Sequence, residues 1–132
     1  MISEAEIEAV LKARLGTNPI PDLPLIYPND PAPGTKPFAL VEILRLGRKD
    51  DTMDGTGTTS RGQFIITIVV AEATFTRAAM VFADTISALF PMGLRLIVPG
   101  GKLEVRKPPD IKGGYSSNAS WRTPVIVDYE AF

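Results

Sequence analysis

A chain of 132 residues, 45% hydrophobic and 22% charged, is long enough to bury one real core and has the ordinary balance of a globular domain. Its 14 basic and 15 acidic residues leave a net charge of −1, which argues against a chain built mainly to neutralise nucleic-acid phosphates. With no cysteine and no histidine, it excludes disulfides, thiol catalysis, thiolate zinc sites, imidazole relays and a Ser-His-Asp triad built from one copy.

The N-terminal stretch MISEAEIEAVLKARLG begins acidic and is amphipathic, unlike a signal peptide, and no apolar segment approaches the ~18–20 residues of a membrane span. Ser3 followed by Glu6 predicts a capping box, with Glu4 and Glu8 well placed near a helix N-terminus. Ile7, Val10, Leu11 and Leu15 make the apolar stripe, and Gly16 suits a left-handed position after the last turn. Residues 19–37 then carry Pro19, Pro21, Pro24, Pro28, Pro31, Pro33 and Pro37, a density that forbids a helix interior or a central strand. Leu23, Leu25, Ile26 and Tyr27 are interleaved with them. The segment reads as an extended, ordered arm against the core, turning near Asn29-Asp30; a proline-rich ligand for an aromatic groove is the alternative.

Phe38 to Leu46 predicts a strand, paired antiparallel with a central strand over 61–71. Phe64 to Ala71 is rich in β-branched residues and apolar on both faces, which suits the middle of a sheet. Thr74 or Thr76 can cap the next helix, whose stripe is Phe75, Ala79, Phe82, Ala83, Ile86, Leu89 and Phe90; Pro91 stops it. Leu94–Val98, a Pro99-Gly100-Gly101 turn and Lys102–Lys107 predict a hairpin with Leu103 and Val105 inward. Trp121 to Tyr129 closes the sheet with Trp121, Thr123, Val125, Val127 and Tyr129 on one face, and Pro124 argues for an edge strand or a bulge there. The expectation is one α+β domain over 1–132 in the order α-β-β-α-β-β-β, a mostly antiparallel sheet packed by two helices. Residues 47–60 and 108–120 are predicted as long polar loops.

Chemistry is sparse. Asp50, Asp51 and Asp54-Gly55 resemble the start of a calcium loop, but position twelve is Arg61 and a strand precedes the loop, so an EF-hand is rejected; a solvated turn is preferred, with loose divalent binding by the three carboxylates the alternative. Gly55-Thr-Gly57-Thr-Thr-Ser60 lacks the last glycine of a dinucleotide fingerprint and precedes a strand. No catalytic pair, cofactor site or metal site is predicted. Lys102, Arg106 and Lys107 lie on the outward face of the late hairpin without interleaved aromatics, a weak pattern for nucleic acid. Tyr115 and Trp121 flank a Ser-rich loop and suggest a contact surface; a Trp at a strand start is more often core. The candidate contact set is Arg48, Lys49, Asp50, Asp51, Asp54 and Arg61, a mixed-sign loop that suits either solvent or a complementary neighbouring surface.

Read in order, an acidic helix ending "LKARLG", then "PLIYPNDPAP", "PFALVEIL", a polar glycine loop, "RGQFIITIVV", a helix ending "ADTISALFP", a late hairpin and "VIVDYEAF" resemble the small tail terminators of long-tailed phages and prophages, the minor tail protein U-like group. The resemblance implies an α+β structural protein of the virion without catalytic residues. It also implies a hexameric ring at the head-proximal end of the tail tube that stops polymerisation and presents the surface joining the head. The partners it implies are further copies of the chain, the tail tube protein and a head-side connector, with no membrane and no specific nucleic-acid binding. A head–tail joining or tail-completion protein is the alternative, and a small nucleic-acid-binding accessory a third. That the 47–60 loop meets a neighbouring subunit is an expectation from its charges alone.

Overall fold

The computed structural model describes residues 3–18, 20, 23–28, 30, 37–50, 58–71, 76–117 and 120–132, apart from the side chains of Asp50, Thr76 and Ser117. Helix α1 spans Glu4–Gly16 and buries Ile7, Leu11 and Leu15, the predicted stripe. Two local details differ from expectation. Ser3 is the N-cap residue but makes no side-chain cap bond; its carbonyl receives the Glu6 and Ile7 N–H groups instead. Gly16 is the last helical residue, and the chain leaves through a right-handed Thr17.

In the proline-rich arm, β1 (Leu25–Ile26) pairs parallel to β2 (Phe38–Asp50), Leu23 is buried, and Tyr27 and Asp30 close a turn through an Asp30 N–H bond to the Tyr27 carbonyl. β2 runs antiparallel to β3 (Thr58–Ala71), from Phe38 opposite Val69 to Asp50 opposite Thr58. The expected 47–60 loop is therefore shorter: residues 47–50 and 58–60 are strand, and 51–57 lie outside the described residues. Polar residues propagate a ribbon when both edges keep pairing, and hydropathy alone does not reveal that register. The second helix, α2 (Thr76–Leu89), buries Ala79, Ala83 and Ile86, with Phe90 just beyond it. Thr76 is its first residue, and Thr74 and Phe75 lie outside the described residues. Arg14 donates to the Leu89 carbonyl, so α1 supplies a cation to the C-terminus of α2, where the helix dipole favours one.

Then come the hairpin strands β4 (Arg95–Val98) and β5 (Gly101–Val105), joined at Pro99-Gly100. Gly100 has φ +89°, the value the second central residue of a type II turn requires. β6 (Asp110–Ile111), β7 (Tyr115–Ser117) and β8 (Ser120–Ala131) complete the chain. The predicted 108–120 loop is thus broken by two short strands, 110–111 and 115–117, while 118–119 lie outside the described residues. β5, β6 and β7 lie one after another along the same edge of β8, interrupted at Pro108-Pro109 and Gly113-Gly114.

The sheet order is β1-β2-β3-β8-β5-β4, with β6 and β7 also on β8. β3 is central, as expected. β8 is interior as well, which corrects the edge-strand reading of Pro124. A residue's N–H and C=O point to the same side of a strand, and the Pro124 carbonyl accepts from Lys112 N–H at 2.9 Å. The missing proline N–H therefore faces the irregular residues 112–114, and the β3–β8 ladder is unharmed.

Both helices cover one face. Val41, Phe64, Ile66, Ile68, Val125, Val127, Leu103 and Val105 meet Ile7, Leu11, Ala83, Ile86 and Phe90 there. Along β8, Thr123, Val125, Val127, Tyr129 and Ala131 are all buried on that side. Trp121 packs at the margin of this core, closely stacked on Gly114, whereas Tyr115 is half exposed. Among the described residues the opposite face carries no helix, and it displays Leu44, Leu46, Ile97 and Tyr115.

Candidate assembly surface

The surface is built on the far half of the β2–β3 ribbon. A register shift between Arg45 and Gly47 inserts one extra residue, with Gly47 at φ +141°. Residues three apart in a regular strand point to opposite faces. The bulge reverses that, so Arg45 and Arg48 both turn toward α1. There Glu4 takes Arg45 at 3.4 Å and Arg48 at 3.3 Å, and Ser60 Oγ donates to it at 2.5 Å. Glu8 adds a longer contact to Arg45 and holds Lys12. The N-terminal acids of α1, expected only to favour the helix dipole, thus bind the helix to the ribbon.

Arg48, Lys49 and Arg61 come together around an open concavity of about 420 Å³, whose other walls include Leu46, Thr59 and Glu130. A second concavity of about 340 Å³ lies on the other side of Arg61, bordered by Arg106, Lys107 and Asp128. Of the predicted contact residues, then, the structure gathers these three. Asp50 ends β2 opposite Thr58, and Asp51 and Asp54 lie outside the described residues. Among the described residues no cluster of carboxylates is arranged to hold a metal ion.

The outward cations of the late hairpin are engaged at home. Arg106 bonds Glu130 at 2.9 Å and Glu104 at 3.3 Å, and Lys102 lies over the Phe132 ring. Lys107 sits 3.0 Å from both Asp110 and Asp128, hydrogen bonds that raise its pKa and lower that of Asp110. Sequence reasoning missed these pairings: Glu4 reaches its arginines only once α1 packs on the ribbon, Glu104 meets Arg95 through the β4–β5 register, and Glu130 meets Arg106 through the pairing of β5 with the distant β8.

Beneath the ribbon Tyr129 is 2% exposed, and its hydroxyl has no hydrogen-bond partner among the described residues. Burial, and next the negative charge of Glu4, push its pKa up to about 12, against the opposing pull of Arg45. The folded state thus holds the phenol proton more tightly than the unfolded chain, whose tyrosine titrates near ~10. This contribution to stability is whole below pH ~10 and is lost as pH rises through the folded value, about 3 kcal/mol for a shift of this size. Tyr129→Phe should lack that alkaline loss and match or exceed wild-type stability at neutral pH, since no protein hydrogen bond is removed. Urea titrations of both proteins between pH 8 and 11.5 check this; parallel pH profiles would refute it.

This architecture recurs among solved structures. One chain of no descriptive title superposes with a TM-score of 0.81 at 22% identity, covering 100% of this chain and 97% of its own length. A chain from a structure titled as the virion of a native gene transfer agent particle superposes at 0.60 with 16% identity, covering 98% of each. Identities this low establish a shared fold. No curated protein sequence matches. The family model described as phage tail terminator protein matches residues 6–129, from the first turn of α1 to the buried Tyr129 of β8, and the chain belongs to that family.

Proposed function

We propose that the protein is a structural component of a tailed-phage or prophage virion. It forms a closed ring, sixfold in our reading, on the head-proximal end of the tail tube, ends tube polymerisation and presents the surface that receives the head. The observation that carries this reading is the family match over 6–129. The chemical inventory supports it: no histidine, no cysteine, and most charged side chains of the described residues spent on pairs within the fold. The ribbon of Arg48, Lys49, Asp50 and Arg61, with Asp51 and Asp54 in the connection beyond it, is the contact between a subunit and its neighbour. Opposite charges on one segment suit a head-to-tail contact, which closes when the rotation between subunits divides the circle. The partners are other copies of the chain, the tube protein and a head-side connector.

Complementation of a lysogen lacking this gene tests both parts. Electron micrographs should show tails of uncontrolled length without the gene and normal tails with the wild-type copy. The Asp50→Lys, Asp51→Lys, Asp54→Lys triple variant, folded by circular dichroism, should leave the tails overlong. Normal-length tails detached from heads in the null strain would replace the terminator with the head–tail joining alternative. Normal tails with the triple variant would remove the ribbon as the contact.

A further inference from the structure

Most charged side chains of the described residues have partners within the subunit. The exceptions fall into a pattern. Glu42 and Arg61 on the open sheet face, and Arg77 and Asp84 on the outer face of α2, have no ion pair or side-chain hydrogen bond, a condition shared by Glu6 on α1 and partly buried Arg122. Each of the two pairs brackets an exposed aliphatic residue. Leu44, 49% exposed, lies between Glu42 and Arg61 in the register of the ribbon, with Leu46 beside it at 51%. Val81, 52% exposed, lies between Arg77 and Asp84 at helical spacings of four and three.

The spans agree. Glu42 sits opposite Ile65, four residues from Arg61, roughly 13 Å along the strand. Arg77 and Asp84 are seven residues apart, roughly 10 Å along the helix. The order of signs is complementary: acid, leucine, base on the sheet; base, valine, acid on the helix. The two surfaces lie on opposite sides of the two-layer fold, so one subunit cannot join its own halves. A second copy can.

We infer that the open sheet face around Leu44 docks on the outer face of α2 of the next subunit, Arg61 meeting Asp84 and Glu42 meeting Arg77 around a Leu44–Val81 contact. This rests on the ring reading and supplies the mate of Arg61. The contact is heterologous, using two different surfaces of each copy, so it repeats from subunit to subunit around a ring. Exposed apolar residues flanked by unpaired charges have the composition of an interface, and the charges fix which way the helix lies across the strands.

A charge-swap cycle decides it. Arg61→Asp and Asp84→Arg alter exposed side chains and should leave the circular dichroism of the subunit unchanged. Native mass spectrometry over a concentration series, with the chain alone and co-expressed with its tail tube protein, reads the assembly. Each single reversal should weaken association at least about tenfold, and the double variant should return to within about threefold of wild type. Wild-type assembly with unaffected singles, or with a double variant no better than the worse single, overturns this interface while the ring reading stands. Singles that self-assemble normally but fail to bind the tube also overturn it, assigning the face to the tube protein. A wild-type chain that stays monomeric under both conditions overturns the ring reading and this contact with it.

Discussion

Replacing Phe64 by alanine should remove about 4 kcal/mol of stability, within the range for truncating a fully buried aromatic. Phe64 is 0% exposed at the middle of the central strand, flanked by Ile43 on β2 and Val127 on β8. Its ring meets Phe90 edge-on, with centroids 5.6 Å apart and planes at 65°. Strands on both sides and a helix above hold the walls of the resulting cavity apart, so little collapse can offset the lost contacts. Set against a total of about 5–15 kcal/mol for a domain, this single change should shift the urea midpoint more than any surface substitution. Phe90→Ala should cost a similar amount, and the double variant should fall short of the sum by about 1 kcal/mol, the part owed to the ring pair. A loss below about 1 kcal/mol for Phe64→Ala would mean that this core is not packed as described.

The second large effect comes from adding one methyl group. A Cβ on Gly62 would lie 2.5 Å from the Tyr129 hydroxyl oxygen, 2.7 Å from the ring carbon bearing it and 2.8 Å from the Leu44 carbonyl oxygen. Tyr129 is buried, and the Leu44 carbonyl belongs to the backbone of β2, so neither can yield without moving a neighbouring strand. Gly62→Ala should cost about 3 kcal/mol through overpacking. Gly16→Ala is the matched control, since a Cβ there meets nothing within 4 Å and alanine favours the helix. Equal melting temperatures for the two variants would refute the close approach at Gly62. Arg48 and Arg45 reach Glu4 immediately beside this point, so the variant should also loosen α1 from the ribbon.

The elements that announced themselves were those whose burial follows a period. The α1 stripe, the β-branched run of β3, the α2 stripe and the alternation of β8 each place apolar residues on one side of a regular backbone, and each folds as its pattern suggested. Three features stayed hidden for physical reasons. The ribbon ends are strand although polar, because pairing with β3 and not hydropathy keeps residues 47–50 extended. Pro124 looked like an edge because proline lacks a donor, but the missing N–H falls where the chain opposite is irregular. The clamp of Glu4 on Arg45 and Arg48 depends on a one-residue bulge, and a bulge changes the face of every later side chain while leaving composition untouched. Of the candidate contact residues, the cluster of Arg48, Lys49 and Arg61 was legible from their proximity to a hairpin.

The middle of this sheet joins two strands distant in sequence: Ser60 pairs with Ala131 and Ala71 with Ser120. Closing so large a loop costs entropy before any contact rewards it, which slows folding relative to proteins built from local contacts. On the ribosome, β3 can find β2 early but must wait for β8 before it has a second neighbour, and until then one edge of the most apolar strand stands open. A chain still waiting for β8 exposes that edge to other nascent copies during the interval. The speed with which β8 arrives, more than the final stability, then governs how much of the protein reaches the native state and how much pairs with the wrong strand.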